Sequence, residues 1–136
     1  MTEKEIKQLI STALDALKNS YAPYSNFNVG AALLTSKNKV YSGCNIENAA
    51  YSSTICAERT AIFSAVNEGE KNFKAIAIVG GHRGNCSDFC SPCGVCRQVM
   101  TEFCGDDFLV IFGDKNLNYK TYTLDQLLPH AFKRED

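Results

Sequence analysis

The chain has 136 residues, a length that fits one domain with a single hydrophobic core. Its formal net charge is -1 and it has no basic block, so its composition does not support a role in coating nucleic acid. No apolar run approaches the roughly 18 residues of a membrane span, and the N-terminus lacks a signal-peptide pattern. We therefore expect one domain over residues 1–136, in the cytoplasm, that binds neither nucleic acid nor membrane.

Seven cysteines are many for this length, and an odd number fits poorly with a fully disulfide-paired secreted protein. In a reducing compartment, clustered cysteines more often bind a metal or carry out redox chemistry than form disulfides. Cys44 and Cys104 lie apart from the clusters, and we expect both to be small, buried apolar residues. The other five cysteines are the candidates for chemistry.

The first predicted element is an amphipathic helix near the N-terminus. Thr2 and Glu5 have the spacing of a capping box, which is a start signal for a helix. The helix is expected to end near Tyr21, because Pro23 disfavours helical geometry in the residue before it. Its buried face is predicted from apolar residues at helical spacing, which are Ile6, Leu9, Ile10, Ala13, Leu14 and Leu17.

Strands are predicted from short, continuous apolar runs. Residues 29–34 form such a run and indicate a strand covered on both faces. A turn over residues 36–39 and a return strand from Val40 to Cys44 would complete a hairpin. Further strands are expected over residues 75–79 and 108–112, with a short one over residues 119–122.

Three further helices are predicted between and after these strands. Thr54 would cap a helix from Ile55 to about Glu68, with Ile55, Ile62, Phe63 and Val66 on one face. Ser91 and Pro92 would start the next, with Val95, Val99, Met100 and Phe103 facing the core. Thr123 and Gln126 have the spacing of a second capping box, which opens a last short helix. The pattern predicts a three-layer α/β/α domain with a mixed sheet of about five strands.

Two cysteine motifs lie at the predicted starts of the second and third helices. Cys56 is followed two residues later by Glu58, and Pro92 precedes the pair Cys93 and Cys96. Two cysteines three residues apart on a helix, such as Cys93 and Cys96, can bind the same metal ion. A catalytic zinc takes three protein ligands and leaves its fourth coordination position open. A carboxylate beside that position, such as Glu58, can move protons.

Other interpretations of the cysteines remain open at this point. Cys93 and Cys96 alone could be a redox pair. Cys90, Cys93 and Cys96 with Cys86 nearby also have a spacing similar to an iron–sulfur motif, although Pro92 precedes Cys93 instead of following the last cysteine. A structural zinc would instead be closed by a fourth ligand, for which Cys90 or Cys86 is the candidate.

Together these motifs resemble those of the small, homotetrameric type of cytidine deaminase, whose zinc signature pairs a ligand-x-Glu with Pro-Cys-x-x-Cys. The resemblance extends over residues 22–33, 43–49 and 127–132. It implies one Zn²⁺ per chain on Cys56, Cys93 and Cys96, and Glu58 as the proton shuttle. It also implies a homotetramer with sites at the subunit interfaces, and a role in pyrimidine salvage. The substrate-binding residues that it implies are Phe27, Asn45, Glu47, Tyr51 and Phe132, the last two acting in a neighbouring subunit's site.

Several of these residues also have ordinary structural interpretations. Asn45 and Glu47 could face the ribose hydroxyls from one extended segment, or they could cap a loop. Phe27 is more often a core residue than a ligand platform. Arg59 could donate hydrogen bonds to the thiolates and offset their charge, or it could be a solvated helix arginine. His82 and His130 have no ligand-like spacing and are expected in loops or at the surface.

The expected reaction is hydrolysis of cytidine or 2′-deoxycytidine to uridine or 2′-deoxyuridine and ammonia. Zinc lowers the pKa of its water toward roughly 7. Glu58 would then move protons to the ring nitrogen N3 and to the departing amine. The lack of basic-aromatic patches favours a free nucleoside over a polynucleotide. The nearest rival substrate is another aminopyrimidine nucleoside, such as a blasticidin-S-type antibiotic.

Overall fold

The computed structural model describes residues 1–134, so the last two residues of the predicted domain lie outside it. Five strands and four helices follow one another along the chain. Their bounds are α1 Glu3–Leu17, β1 Phe27–Thr35, β2 Val40–Cys44, α2 Ala57–Asn67, β3 Phe73–His82, α3 Gly94–Phe103, β4 Leu109–Gly113, β5 Tyr119–Thr123 and α4 Leu124–Leu127. A single 3-10 turn, Tyr51–Ser53, precedes α2.

The strands form one five-stranded sheet in the order β2-β1-β3-β4-β5. Only β3 and β4 are parallel, and the other three neighbouring pairs are antiparallel. The prediction of a mixed sheet of about five strands is confirmed. Because α3 connects the parallel pair, its N-terminus lies beyond the carboxyl end of β3, where ligands collect in sheets of this kind.

Helices cover both faces of the sheet, as the continuous apolar strands predict. On one face α1 packs through residues such as Ile10 and Ala13 against alternate residues of the strands, including Val79 and Ile111. On the opposite face α2 and α3 pack through Ile62 and Met100 among others. The three-layer α/β/α architecture is therefore confirmed. No helix within residues 1–134 is long and apolar enough to cross a membrane.

The predicted capping boxes are present at both ends of the chain. Thr2 accepts a hydrogen bond from the Glu5 amide and begins α1, and Thr123 does the same for Gln126 and α4. The end of α1 differs from the prediction, because the helix stops at Leu17. Tyr21 instead forms an isolated β-bridge with Ile46, a residue that is distant from it in the sequence.

Helices α2 and α3 both begin two residues later than the sequence predicts. Their N-caps are Cys56 and Cys93, in place of Thr54 and Ser91. At α3 the Sγ atom of Cys93 accepts a hydrogen bond from the Cys96 amide at 3.4 Å, which is the role that a serine or threonine oxygen usually takes. The predicted starts relied on the usual preference for serine and threonine at N-caps. They are wrong because cysteines occupy the N-cap positions of both helices.

Each of the two helices also exposes a residue of its predicted apolar face. Phe63 is 44% exposed and Val95 is 58% exposed, so both predictions are wrong, and Ile55 lies outside α2. Cys104 is buried as predicted, whereas Cys44 is only half-buried. Val95 lies in the first turn of α3, and the buried residues of that helix are Cys96, Met100 and Thr101.

A close approach between strand β2 and helix α2 positions the start of that helix. A Cβ atom placed on Gly43 would lie 2.5 Å from the Ala61 nitrogen and 2.6 Å from the Ala57 oxygen. Both are backbone atoms that cannot move aside cheaply, so only glycine fits. The first turn of α2 is thereby held directly beside the end of β2, next to Asn45.

Candidate active site

Three cysteine sulfur atoms meet where α2 and α3 begin. Cys56 and Cys93 are the N-caps of the two helices, and Cys96 lies in the first turn of α3. The Sγ atom of Cys93 is 3.5 Å from that of Cys56 and 3.3 Å from that of Cys96. Thiolates bound tetrahedrally at about 2.3 Å from a zinc ion lie about 3.8 Å apart. The sulfurs therefore fit a zinc ion with little rearrangement.

The cluster has three ligands and not four. All three sulfurs lie within 4.8 Å of one another, and over residues 1–134 no further Cys, His, Asp or Glu belongs to the group. The thiols of Cys86 and Cys90, the two candidates for a closed structural site, stand apart from it. The geometry is that of an open site, which leaves one coordination position for another ligand.

The groups around Cys56 favour its metal-binding thiolate form, whereas the hydrogen bond to Cys56 raises the pKa of Cys96. The thiol of Cys96 and the guanidinium of Arg59 together lower the pKa of Cys56 to about 5. Arg59 Nη2 lies 3.4 Å from the Sγ atom of Cys56, while its Nε atom is buried without a hydrogen-bond partner among the described residues. The structure therefore places Arg59 against the sulfurs, as its predicted role requires, and not in solvent.

Glu58 lies beside the cluster on the first turn of α2. Its side chain is only 3% exposed, and burial raises its pKa to about 7. A carboxyl group with a pKa near neutrality can both accept and donate a proton. Because it follows Cys56 by two residues on a helix start, its carboxylate is directed into the same cavity without joining the sulfur group.

A cavity of about 290 Å³ connects the sulfurs, the glutamate and the loop before β1. The carboxyl ends and caps of several elements supply its wall. The lining residues are Ser25, Phe27, Val29, Asn45, Glu47, Thr54, Ile55, Cys56, Glu58, Cys90, Ser91 and Cys93. Most of the predicted site residues of one chain are thus brought into a single cavity.

Asn45 and Glu47 line this cavity and also hold the loop that borders it. The Asn45 side chain accepts from the Val29 amide at 2.9 Å and donates to the Phe27 carbonyl at 2.8 Å. It also accepts a hydrogen bond from the Ser20 hydroxyl. Asn45 therefore has the alternative role of loop cap, and its predicted role in binding ribose stays a prediction.

Glu47 fixes the loop even more directly. Its carboxylate accepts hydrogen bonds from the amides of Tyr24 and Ser25, at 2.9 and 3.1 Å, and from the Ser25 hydroxyl at 2.5 Å. These donors, the Ser25 hydroxyl first, hold the pKa of the carboxyl below its usual range. An ionised Glu47 keeps the loop, and with it Phe27, at the cavity wall.

Phe27 and Cys90 form one side of the cavity against a glycine of β3. A Cβ atom on Gly80 would lie 2.9 Å from the Cys90 Sγ and 3.2 Å from Phe27 Cε1. Phe27 is 40% exposed, so the interpretation as an ordinary core residue is wrong. Burial raises the pKa of the Cys90 thiol to about 12, so that Cys90 is a neutral wall residue.

Residues 3–112 match a family model described as the cytidine and deoxycytidylate deaminase zinc-binding region. The chain belongs to this family. The prediction of a zinc-type deaminase domain is confirmed by the match, and its description favours zinc over an iron–sulfur cluster or a redox pair.

Relatives agree with the assignment to the deaminase family. The chain is 46% identical to a cytidine deaminase of Sporosarcina psychrophila, over 97% of this chain and 94% of that protein. A crystal structure of cytidine deaminase from Burkholderia pseudomallei superposes with a TM-score of 0.85 at 44% identity, covering 97% of this chain and all of that one. A blasticidin-S deaminase of Bacillus cereus is 30% identical over 93% of this chain and 91% of its own length.

Two predicted site residues of this deaminase lie away from its own cavity. Tyr51 is 77% exposed and lines a neighbouring depression, where its ring meets the edge of the Tyr24 ring. Phe132 is 72% exposed and lies near Gln98 in a separate depression. Their predicted action in a neighbouring subunit's site is compatible with such exposure and stays a prediction.

Two residues have roles in the deaminase site that the sequence motifs do not predict. Ser25 lies in a predicted loop, yet its hydroxyl and amide both bind Glu47. The spacing of Cys90 makes it a candidate metal ligand, whereas the structure makes it part of the cavity wall. Its position next to Ser91 and Pro92 is the signal that places it near the site. His82 and His130 are exposed, as expected.

Proposed function

We propose that this chain catalyses the zinc-dependent hydrolysis of cytidine and 2′-deoxycytidine to uridine and 2′-deoxyuridine with release of ammonia, in pyrimidine salvage. One observation carries the proposal. Three sulfurs lie within 4.8 Å of one another, and the two of Cys56 and Cys93 border one cavity together with the buried carboxylate of Glu58. This is the ligand set and the acid/base group of the zinc deaminases, whose family the chain belongs to.

The site residues have different roles in the proposed reaction. Cys56, Cys93 and Cys96 would hold one Zn²⁺, which activates water as a nucleophile near neutral pH. Glu58 accepts the proton of the attacking water and passes it to N3 of the base. It then takes the proton of the hydroxyl group formed at C4 and delivers it to the departing amine, so that water and cytidine are converted to uridine and ammonia. Arg59 offsets the negative charge of the sulfurs through its contact with Cys56.

The cavity supports a small nucleoside as the substrate. Its volume of about 290 Å³ is close to the lower end of ligand pockets, which span roughly 300–1,000 Å³. Glu47 and Asn45 offer an acceptor and an amide to sugar hydroxyls, and Phe27 offers an aromatic face to the base. The net charge of -1 does not favour a polynucleotide.

We further propose a cytoplasmic homotetramer. All seven cysteines are unpaired, which suits a reducing compartment. Two of the most exposed large side chains are the aromatic rings of Tyr51 and Phe132, and a neighbouring subunit would cover them. In that arrangement each ring would complete the active site of another subunit.

The test is direct conversion measured by the fall of cytidine absorbance, with zinc content determined on the same sample. We expect turnover of cytidine and 2′-deoxycytidine by protein that holds about one zinc per chain. Blasticidin S is the comparison substrate, because a blasticidin-S deaminase is among the relatives. Turnover of blasticidin S without turnover of cytidine would show that the proposed substrate is wrong. Zinc-loaded protein that is inactive on all three compounds would contradict the proposed function.

Replacement of Glu47 by alanine is expected to raise KM for cytidine by about tenfold or more while kcat changes less. The carboxylate holds the loop before Phe27 and faces the sugar, so its loss removes binding more than chemistry. Ser25→Ala is the matched control, since it removes one donor of the loop and leaves the carboxylate. A KM unchanged in Glu47→Ala would contradict the assignment.

A further inference from the structure

Arg97, on the first part of α3, connects two segments that are distant in the sequence. Its Nε atom donates to the carbonyl of Pro92 at 2.9 Å, and its Nη1 atom donates to the carbonyl of Leu127 at 2.7 Å. Pro92 is fully buried and directly precedes Cys93, and Leu127 is the last residue of α4. A planar guanidinium can serve both carbonyls at once, which a lysine ammonium on its flexible stem cannot reproduce.

The next residue of the same helix binds the same C-terminal segment. Gln98 Nε2 donates to the carbonyl of Phe132 at 2.9 Å. Arg97 and Gln98 together therefore anchor the segment 127–132 at both of its ends. The difference between them is that only Arg97 also binds the residue before the sulfur Cys93.

We propose that Arg97 is a positioning residue, which sets the geometry of the metal ligand Cys93 by clamping Pro92 to the C-terminal segment. The inference rests on the proposed function only in that Cys93 holds the zinc. Cys93 is the N-cap of α3, so its backbone lies at the junction where the extended chain stops and the helix begins. The backbone hydrogen bonds of a helix do not hold the residue before its N-cap in place. Here the Arg97 side chain holds that residue, Pro92.

The clamp also holds the segment that follows β5. The last carbonyls of a helix have no partner within it, and Arg97 supplies a charged donor for the one at Leu127. The segment that carries Phe132 is thus docked on the helix that carries Cys93 and Cys96. One guanidinium joins the support of the metal site to the position of the exposed aromatic ring.

The experiment compares Arg97→Met, Arg97→Lys and the matched control Gln98→Met in the full chain. The first measurement is the rate at which zinc passes to an excess of a chromophoric chelator. Residues that orient metal ligands typically change metal affinity by about 10–100-fold, so we expect release from Arg97→Met to be about tenfold faster. We expect an intermediate rate for Arg97→Lys and a rate within about twofold of wild type for Gln98→Met, with circular dichroism confirming that each is folded.

The second measurement separates positioning from general loosening. The visible bands of Co²⁺ in place of zinc report the arrangement of the sulfur ligands. We expect them to shift in Arg97→Met, to return partly in Arg97→Lys and to be unchanged in Gln98→Met. Equal release rates and spectra in Arg97→Met and wild type would overturn the proposal, as would equal effects of Gln98→Met. Neither measurement uses turnover, so a failure of the proposed deamination is detected separately.

Discussion

Glu58→Gln is expected to lose turnover of cytidine by about a thousandfold or more while the protein stays folded and retains its zinc. General acid–base groups contribute roughly 10²–10⁴-fold to rates. Glutamine has nearly the same shape as glutamate and fills the same buried position, which is only 3% exposed. It cannot carry a proton from water to the base. The measurement is kcat with saturating cytidine, together with the zinc content and the melting temperature.

Glu68→Gln is the matched control for this substitution. Glu68 is the C-cap of the same helix and binds the hydroxyl of Tyr41, far from the sulfurs. We expect it to change the rate by less than about twofold, since a surface side chain away from the site contributes little to the reaction. A Glu58→Gln enzyme with turnover near that of the control would refute the assignment of the proton shuttle.

Cys93→Ser is expected to empty the metal site and to abolish activity with it. The thiolate is the metal ligand, and the hydroxyl of serine is not ionised near neutral pH. The sulfur of Cys93 lies 3.5 Å from that of Cys56 and 3.3 Å from that of Cys96, so its loss removes one of the three ligands of the cluster. We expect zinc content to fall from about one per chain to near zero. The melting temperature should fall as well, since binding to the folded state stabilises it.

Cys90→Ser and Cys86→Ser are the controls. Both residues lie close to Cys93 in the sequence, and Cys90 lines the same cavity, but neither belongs to the sulfur group. We expect zinc content to stay near one per chain in both variants. Loss of zinc in either would show that the site takes a different third ligand or a fourth one.

Much of this molecule follows from local patterns. Apolar runs predicted the strands because a strand buried on both faces must be apolar on both, as residues 31–34 and 75–79 are. Capping boxes at Thr2 and Thr123 placed two helices for the same kind of local reason. The deaminase motif was recognisable because a metal needs particular ligand atoms at particular spacings. Residue types and spacing make Cys56, Glu58, Cys93 and Cys96 candidates, and the resemblance to the deaminases favours this set over the other cysteines.

The tertiary structure decided the features that depend on contacts between distant residues. The start of α3 moved by two residues because the sulfur of Cys93, and not Ser91, caps it, whereas Cys56 is the N-cap of α2 without a side-chain hydrogen bond. The bonds of Glu47 to residues 24 and 25 and of Arg97 to residues 92 and 127 join segments between 5 and 30 residues apart. A single sequence carries no sign of such partners. The residue types and their spacing determine the chemistry, and the packing of the layers determines which side chains hold it in place.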